Sequence, residues 1–222
     1  MFDAIVPAYD RLNTLMTLGL DGRWRRLACA ATELSPGDSA VDVACGTGKL
    51  SVLLAEAVGP FGTVVGVDFS SGMIQSAARA HRALVQLGFR VANALDLPYP
   101  ADRFDAATIA FGIRNVADYE AAFREMARVV RPGGRVVCLE LTRPTSELQT
   151  RLFLGVFRRW APLMALLAGG RRSAYEYLPA SLESFPSAEE LAERMRSAGL
   201  TGVGFRRLAT GVVALHRGVV PG

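Results

Sequence analysis

Residues 41–50 read Val41-Asp-Val-Ala-Cys-Gly-Thr-Gly-Lys-Leu50, and residues 65–69 read Val65-Gly-Val-Asp-Phe69. In each stretch a short apolar run leads to a polar end, which is a turn with two glycines in the first and an acid in the second. Glycine lets the backbone approach a ligand where a Cβ would block it. An acid at the end of the next strand can accept both hydroxyls of a ribose. The two stretches therefore predict a nucleoside-binding crevice at the carboxyl ends of parallel strands.

The composition is typical of one globular domain. The chain has 222 residues, 50% of them hydrophobic, and a net charge of +4 with Lys49 as its one lysine. This composition argues against disorder and gives no case for nucleic-acid binding. No apolar run approaches the ~20 residues that span a bilayer, and no signal-peptide pattern is present. Cys29, Cys45 and Cys138 lack metal-ligand spacing, so we expect reduced thiols in a cytoplasmic protein without a metal site.

Strand-like and helix-like stretches alternate along the chain, which predicts βαβ units and a mostly parallel sheet. The candidate strands are Ser39–Ala44, Thr63–Val67, Phe89–Ala92, Phe104–Phe111, Arg135–Leu139, Gly202–Leu208 and Val212–His216. Apolar residues recur at helical spacing in Lys49–Val58, Ser71–Leu87 and Asp118–Val130. Arg131-Pro-Gly-Gly134 is expected to end the last of these helices before the next strand. The final two strands flank residues 209–211 and predict an antiparallel hairpin that closes the sheet.

Two segments fall outside this alternation within a single predicted domain, 1–222. Residues 1–31 have a helical pattern and are predicted to form an N-terminal cap. Residues 143–182 are too many for a bare loop, so they are predicted to form a lid or acceptor-binding insertion. Packing against the helices of the sheet is the alternative for both segments.

The glycine turn does not match the common phosphate-binding motifs. A Walker loop needs a glycine-rich span before its Gly-Lys-Ser/Thr end, and a dinucleotide fingerprint needs a third glycine where Ser51 stands. A nucleoside cofactor without a pyrophosphate fits better. Thr47 and the backbone N–H groups at the start of the next helix are then candidates to hold a carboxylate or amine of that cofactor.

Three further features follow predicted strands. Asp68 is predicted to bind the ribose, with a solvated strand-end acid as the alternative. Asn93 is a candidate partner for the N6 amine of an adenine, with an ordinary Asx turn as the alternative. The stretch Ile109-Ala-Phe-Gly-Ile-Arg-Asn115 places Arg114 at the crevice mouth, where a surface ion pair is the alternative to a catalytic role.

These motifs resemble those of class I methyltransferases that use S-adenosylmethionine. More narrowly, the chain resembles the ubiquinone/menaquinone biosynthesis C-methyltransferase family over almost its whole length. The resemblance implies a Rossmann-like α/β fold: a seven-stranded, mostly parallel sheet with a C-terminal antiparallel hairpin and a helical lid. The motifs that carry it are the glycine turn, Gly66-Val-Asp-Phe-Ser-Ser-Gly-Met73, Ala92-Asn-Ala-Leu-Asp-Leu-Pro-Tyr-Pro100, Phe111-Gly-Ile-Arg-Asn115, Tyr175-Glu-Tyr-Leu-Pro179 and Ala214-Leu-His-Arg-Gly218, together with the opening residues 2–13.

The resemblance also implies a set of site residues. Those expected to bind S-adenosylmethionine are Asp42, Gly46, Thr47, Gly48, Asp68, Phe69, Met73, Asn93, Ala94 and Ala110. Arg114 and Tyr9 are expected to be catalytic and to face the acceptor. His216, on the last predicted strand, is expected to be structural, with a role as a base as the alternative. The chain departs from the family pattern at several positions: Lys49 replaces an acid that ends the glycine turn, Asp21 stands where a histidine is common, and Ala110 stands where a serine is often found.

The implied activity is C-methylation of a demethylated prenyl quinol, with demethylmenaquinol as the expected acceptor in menaquinone biosynthesis. Because that acceptor carries an isoprenoid tail, peripheral contact with the inner face of a membrane is expected, and Leu152–Ala168 is the candidate surface unless it is a buried lid helix. A homodimer is left open. Two other functions also stay open: methylation of a soluble small-molecule phenol, and a non-catalytic homologue that scaffolds quinone biosynthesis.

Overall fold

The computed structural model describes Thr14, Thr17, residues 19–142 and residues 185–222. Its helices are α1 (Leu20–Ala31), α2 (Lys49–Val58), α3 (Ser71–Ala80), α4 (Tyr119–Val129) and α5 (Ala188–Ser197), with 3₁₀ turns at Ile113–Asn115 and Ala209–Gly211. Its strands are β1 (Ser39–Val43), β2 (Thr63–Asp68), β3 (Leu87–Val91), β4 (Phe104–Ala110), β5 (Val130–Leu141), β6 (Thr201–Leu208) and β7 (Val213–Val219).

The seven strands form one sheet in the order β3-β2-β1-β4-β5-β7-β6. The first five strands along the chain pair in parallel, and β7 lies antiparallel between β5 and β6. The predicted mostly parallel sheet with a C-terminal hairpin is therefore confirmed. Because the strand order reverses on either side of β1, a crevice is expected at the carboxyl ends of β1, β2 and β4.

Apolar side chains cover both faces of the sheet, as parallel strands require. One buried cluster joins the sheet to α4 and α5 and contains Phe123 and Met126. The other joins the opposite face to α1 and α2 and contains Trp24 and Leu54. Successive residues of β5, such as Cys138 and Leu139, belong to different clusters because successive side chains of a strand point to opposite faces of the sheet. The two layers of helices thus hold the strand ends in fixed positions.

The predicted helix Ser71–Leu87 is too long, because α3 ends at Ala80. The apolar residues Leu84 and Leu87 continue the helical spacing, but Leu87 is the first residue of β3 and pairs with Val64. Strand pairing in the folded protein outweighs the local helical pattern here.

Strand β5 also begins earlier than predicted, at Val130 rather than Arg135. Phe104 pairs with Val130 and Ala106 pairs with Arg135, so residues 131–134 form an irregularity within the strand and not a break before it.

Candidate functional site

A cleft of about 350 Å³ opens at the carboxyl ends of the central strands, which is in the size range of small-molecule sites. Six of the residues predicted to bind the cofactor lie in its wall: Gly46, Asp68, Phe69, Met73, Asn93 and Ala94. The remainder of the wall includes Ala44, Leu95, Phe111, Gly112 and Asn115. The sequence motifs that follow β1, β2, β3 and β4 therefore meet at one place.

Asp68 ends β2 and faces the glycine turn. Its Oδ2 accepts a hydrogen bond of 2.9 Å from the Gly46 N–H, and its Oδ1 accepts one of 2.9 Å from the Ser70 N–H. A carboxylate oxygen has more than one acceptor direction, so each oxygen can accept a further bond. The two backbone donors therefore fix the carboxylate in one orientation, which suits a vicinal pair of hydroxyls such as those of a ribose.

The glycine turn brings backbone close to this carboxylate. Gly46 and Gly48 have φ of 57° and 85°, values that favour glycine. A Cβ on Gly48 would also lie 2.8 Å from the Phe89 ring, which leaves no room for another residue. Helix α2 begins at Lys49 and, among the described residues, no side chain caps its N-terminus. The first N–H groups of α2 are therefore backbone donors beside the turn.

The opposite end of the cleft is apolar and open. The Phe69 side chain is 81% exposed, although large apolar side chains are usually buried. Asn93 Oδ1 accepts a 3.0 Å hydrogen bond from the Leu95 N–H, so the Asx turn considered for this residue is present. Because Asn93 also lines the cleft, this turn and a contact with an adenine are compatible. An exposed aromatic ring and an amide are side chains that would suit a flat aromatic base.

The backbone is strained where β1 and β4 enter the cleft. Ala44 and Phe111 have φ of 51° and 58°, which is uncommon for residues with a side chain. A Cβ on Gly112 would lie 2.5 Å from the Ala44 Cβ, so only glycine fits at this crossing. Strain of this kind often accompanies a functional site, where the surrounding structure maintains it.

Four residues predicted to bind the cofactor lie outside the cleft wall: Asp42, Thr47, Gly48 and Ala110. Ala110 packs with the apolar cluster under α1 and α2. The Thr47 carbonyl oxygen accepts a hydrogen bond of 3.0 Å from His81 Nε2. The structure thus gives Thr47 and Gly48 a role in shaping the turn that supports the cleft.

Asp42 lies inside the sheet and is 1% exposed. Its two oxygens accept hydrogen bonds of 2.6 Å from Ser51 Oγ and 2.8 Å from Thr108 Oγ1. Burial raises the pKa of Asp42 from 3.8 to about 6, and the two hydroxyl donors and the charge of Arg25 oppose this effect. The carboxylate therefore links β1, β4 and α2 immediately below the glycine turn.

Arg114 lies on the 3₁₀ turn after β4, between the cleft residues Gly112 and Asn115. Its guanidinium pairs with Glu140, and both side chains are at least nine-tenths buried. Sequence reasoning assigned no role to Glu140. Its position in the apolar run of β5 was a usable signal, because a buried acid requires a partner.

Two of the predicted features, Tyr9 and the segment 143–182, lie outside the described residues.

His216 and the three cysteines lie within the described residues. His216 is buried on β7, where its Nε2 lies 2.9 Å from the Ala188 carbonyl oxygen, far in the strand order from β2. Cys29, Cys45 and Cys138 are free thiols, and burial raises the pKa of each.

Two kinds of feature are missing from the described part of the chain. No group of three or more His, Cys, Asp or Glu side chains there is placed to hold a metal ion. None of the helices in that part of the chain has the length and apolar character needed to cross a bilayer.

The residues present fit S-adenosylmethionine. The Asp68 carboxylate would accept from the ribose hydroxyls, Phe69 and Asn93 would border the adenine, and Gly46 and Phe111 line the same cleft. The glycine at position 112 lets the backbone after β4 pass close to Ala44 at the end of β1. These residues would hold the nucleoside and leave its sulfur end beside the loop that carries Arg114.

Comparisons with known proteins agree with this assignment. The ubiE/COQ5 methyltransferase family matches residues 1–220. The demethylmenaquinone methyltransferase of Desulfitobacterium hafniense (strain Y51) is 40% identical over 225 residues, covering 99% of this chain and 88% of that protein. The protein of the same name from Clavibacter sepedonicus is 41% identical over 221 residues, covering 100% and 89%.

Solved structures share the fold at low sequence identity. A methyltransferase in complex with the Haloferax volcanii Trm112 activator has a TM-score of 0.74 and 21% identity, covering 100% of this chain and 98% of that one. A SAM-dependent methyltransferase from Aquifex aeolicus has a TM-score of 0.62 and 18% identity, with 84% of each chain covered. The family match and the fold together identify S-adenosylmethionine as the methyl donor. The chain belongs to the ubiE/COQ5 methyltransferase family.

Proposed function

We propose that this chain methylates a ring carbon of a demethylated prenyl quinol, with demethylmenaquinol as its acceptor. Relatives named demethylmenaquinone methyltransferase match the chain at about 40% identity over nearly its whole length. The structural observation that supports the proposal most is the buried Arg114–Glu140 pair on the loop beside the cofactor cleft. Arg114 lies between the cleft residues Gly112 and Asn115, so the proposal assigns its cation to the side of the cleft where the methyl donor would end.

S-adenosylmethionine would supply a methyl group made electrophilic by its sulfonium. An aromatic carbon bonds to this methyl carbon, with S-adenosylhomocysteine as the leaving group and later loss of the ring proton, only when the ring is rich in electrons. A quinol meets this condition best as its phenolate. A guanidinium with little exposure to water stabilises such an oxyanion more strongly than one in bulk solvent. Arg114 therefore has the charge and the burial needed to hold the acceptor oxygen.

Glu140 positions that guanidinium. Glu140 is fully buried on β5, and it also accepts a 2.9 Å hydrogen bond from the Leu141 N–H. An arginine with a long, flexible side chain loses less entropy on binding when a partner already holds it. The pair thus presents one preformed orientation of Arg114 to the acceptor.

The test is transfer of labelled methyl from S-adenosylmethionine to demethylmenaquinol that is kept chemically reduced. We expect turnover with the reduced form and none with the oxidised quinone, because only the quinol is nucleophilic. Arg114→Ala is expected to lower kcat by about 100-fold, since oxyanion donors contribute on this scale. Arg124→Ala removes an arginine from an exposed pair with Glu120 and serves as the matched control.

Three results would contradict the proposal. Equal turnover of a naphthalene diol without a tail would indicate a soluble phenol as the natural acceptor. Binding of S-adenosylmethionine without turnover on any quinol would indicate a non-catalytic homologue. Full activity of Arg114→Ala would remove Arg114 from the mechanism.

A further inference from the structure

Helix α1 carries an arginine to the β4 side of the cleft. The guanidinium carbon of Arg25 lies 5.1 Å from the centre of the Phe111 ring, and the preceding Trp24 ring lies 6.3 Å from the same ring. Phe111 forms part of the cleft wall. A guanidinium stacked on an aromatic face is held in one plane, which orients its N–H groups.

Arg25 is poorly matched by acceptors for so buried a residue. It is 8% exposed, and its Nε is buried with no acceptor within hydrogen-bond distance among the described residues. Among the described residues, the carboxylate oxygen paired with Arg25 is Asp21 Oδ2, which lies 3.9 Å from Nε and is too far for a hydrogen bond. A buried charged donor without an acceptor is costly, so a bound anion would satisfy a need that the protein itself leaves open.

Charged groups of both signs surround Arg25. Asp21 Oδ2 also lies 3.6 Å from Lys49 Nζ, so one buried carboxylate stands between two cations. The Asp42 carboxylate also interacts with the charge of Arg25, so at least two carboxylates face these two cations. Lys49 is the first residue of α2, so the partial positive charge of the helix N-terminus also lies beside this cluster and favours an anion there. Asp21 and Lys49, which both depart from the family pattern, thus contact each other in this cluster.

We propose that Arg25 binds the carboxylate of the methionine part of S-adenosylmethionine. In this arrangement Asp68 and Asn93 hold the adenosine at the β2 and β3 side of the cleft, and the glycine turn leads from there to Phe111, the residue after β4. The amino-acid part of the nucleoside then ends where Arg25 packs on Phe111. A carboxylate matches the fork of a guanidinium and supplies the acceptor that Nε lacks.

The test measures binding alone, by calorimetric titration in the absence of any acceptor. The ligands are S-adenosylmethionine and its decarboxylated form, which keeps the sulfonium and the amine but lacks the carboxylate. We expect the wild-type protein to bind the complete nucleoside about 10- to 100-fold more tightly, because a charge-assisted pair contributes on this scale.

Arg25→Met keeps the length and apolar body of the side chain and removes its charge. This variant should lose the same factor for S-adenosylmethionine and change by less than about twofold for the decarboxylated form. Arg26→Met removes the neighbouring exposed arginine and should leave both affinities unchanged. Arg25→Lys keeps a charge without the fork, so it should retain part of the preference.

Two results would overturn the proposal. Equal affinity of the wild-type protein for the two nucleosides would show that no group binds the carboxylate, whatever the variants do. A preference that survives in Arg25→Met, or equal losses for both ligands, would show that Arg25 acts only by packing α1 against Phe111. Unfolding curves of the variants separate these effects from loss of the fold, and Arg25→Lys remains informative if Arg25→Met does not fold.

Discussion

The substitution Asp42→Asn should change how the stability of this protein depends on pH. Asp42 is buried within the sheet, and burial raises its pKa from 3.8 to about 6. An asparagine has the same shape, and its amide can accept from one of the two neighbouring hydroxyls, Ser51 or Thr108, and donate to the other. The substitution therefore removes the ionisation with little change in packing.

The sign follows from proton uptake. Between pH 3.8 and about 6 the folded protein holds a proton on Asp42 that the unfolded chain has lost. The folded state thus binds more protons, so the free energy of unfolding falls as the pH rises through this window. At about 1.4 kcal/mol for each pKa unit, the difference between 3.8 and about 6 corresponds to a loss of about 3 kcal/mol in the free energy of unfolding. This loss is complete once the pH exceeds the pKa of Asp42 in the folded protein.

The assay is urea unfolding of both proteins from pH 3.5 to pH 7.5. We expect the Asp42→Asn variant to gain about 3 kcal/mol relative to the wild type across this range, with most of the change below pH 6.5. Other carboxylates cancel in the comparison because both proteins contain them. Asp102→Asn, the same change at an exposed turn, is the matched control. A difference between wild type and Asp42→Asn that stays constant with pH would refute the reasoning.

Two further substitutions test the cleft. Asp68→Asn should weaken S-adenosylmethionine binding about 10- to 100-fold in a titration. The amide keeps one acceptor oxygen but turns its N–H groups toward N–H donors of the protein and hydroxyls of the ribose. Unchanged affinity would show that Asp68 does not bind the nucleoside. Gly112→Ala should lower the free energy of unfolding by about 1–3 kcal/mol, because its Cβ would lie 2.5 Å from the Ala44 Cβ. Gly88→Ala, where a Cβ meets no atom within 4 Å, is the control, and equal effects at the two glycines would contradict the steric account.

Much of the fold could be predicted because its signals are local. The apolar run before Gly46 and the one before Asp68 form strands that end within one residue of the predicted ends, since an apolar run followed by a glycine or an acid indicates both a buried strand and its end. The C-terminal hairpin follows from two apolar runs around a short turn. The end of α3 could not be found this way, because Leu84 and Leu87 fit a helix as well as a loop and a strand.

The site could be predicted in part. Asp68 and Asn93 lie where the motifs placed them, because the carboxyl ends of parallel strands meet at one edge. Asp42 belongs to the same motif, but its side chain is buried between the sheet and α2 and is not part of the cleft wall. Within the motif, only the alternation of side chains along β1 indicates this burial. The partners of Arg114 and Arg25 come from other elements, so their pairing with Glu140 and Phe111 depends on the packing of the whole domain.

A crystal structure with bound S-adenosylhomocysteine tests most directly whether this cleft is the cofactor site. We expect both ribose hydroxyls within hydrogen-bond distance of the Asp68 carboxylate, the adenine between Phe69 and Asn93, and the amino-acid end beside the turn at Gly46. A nucleoside bound elsewhere on the protein, or bound in the cleft without contact to Asp68, would contradict the account.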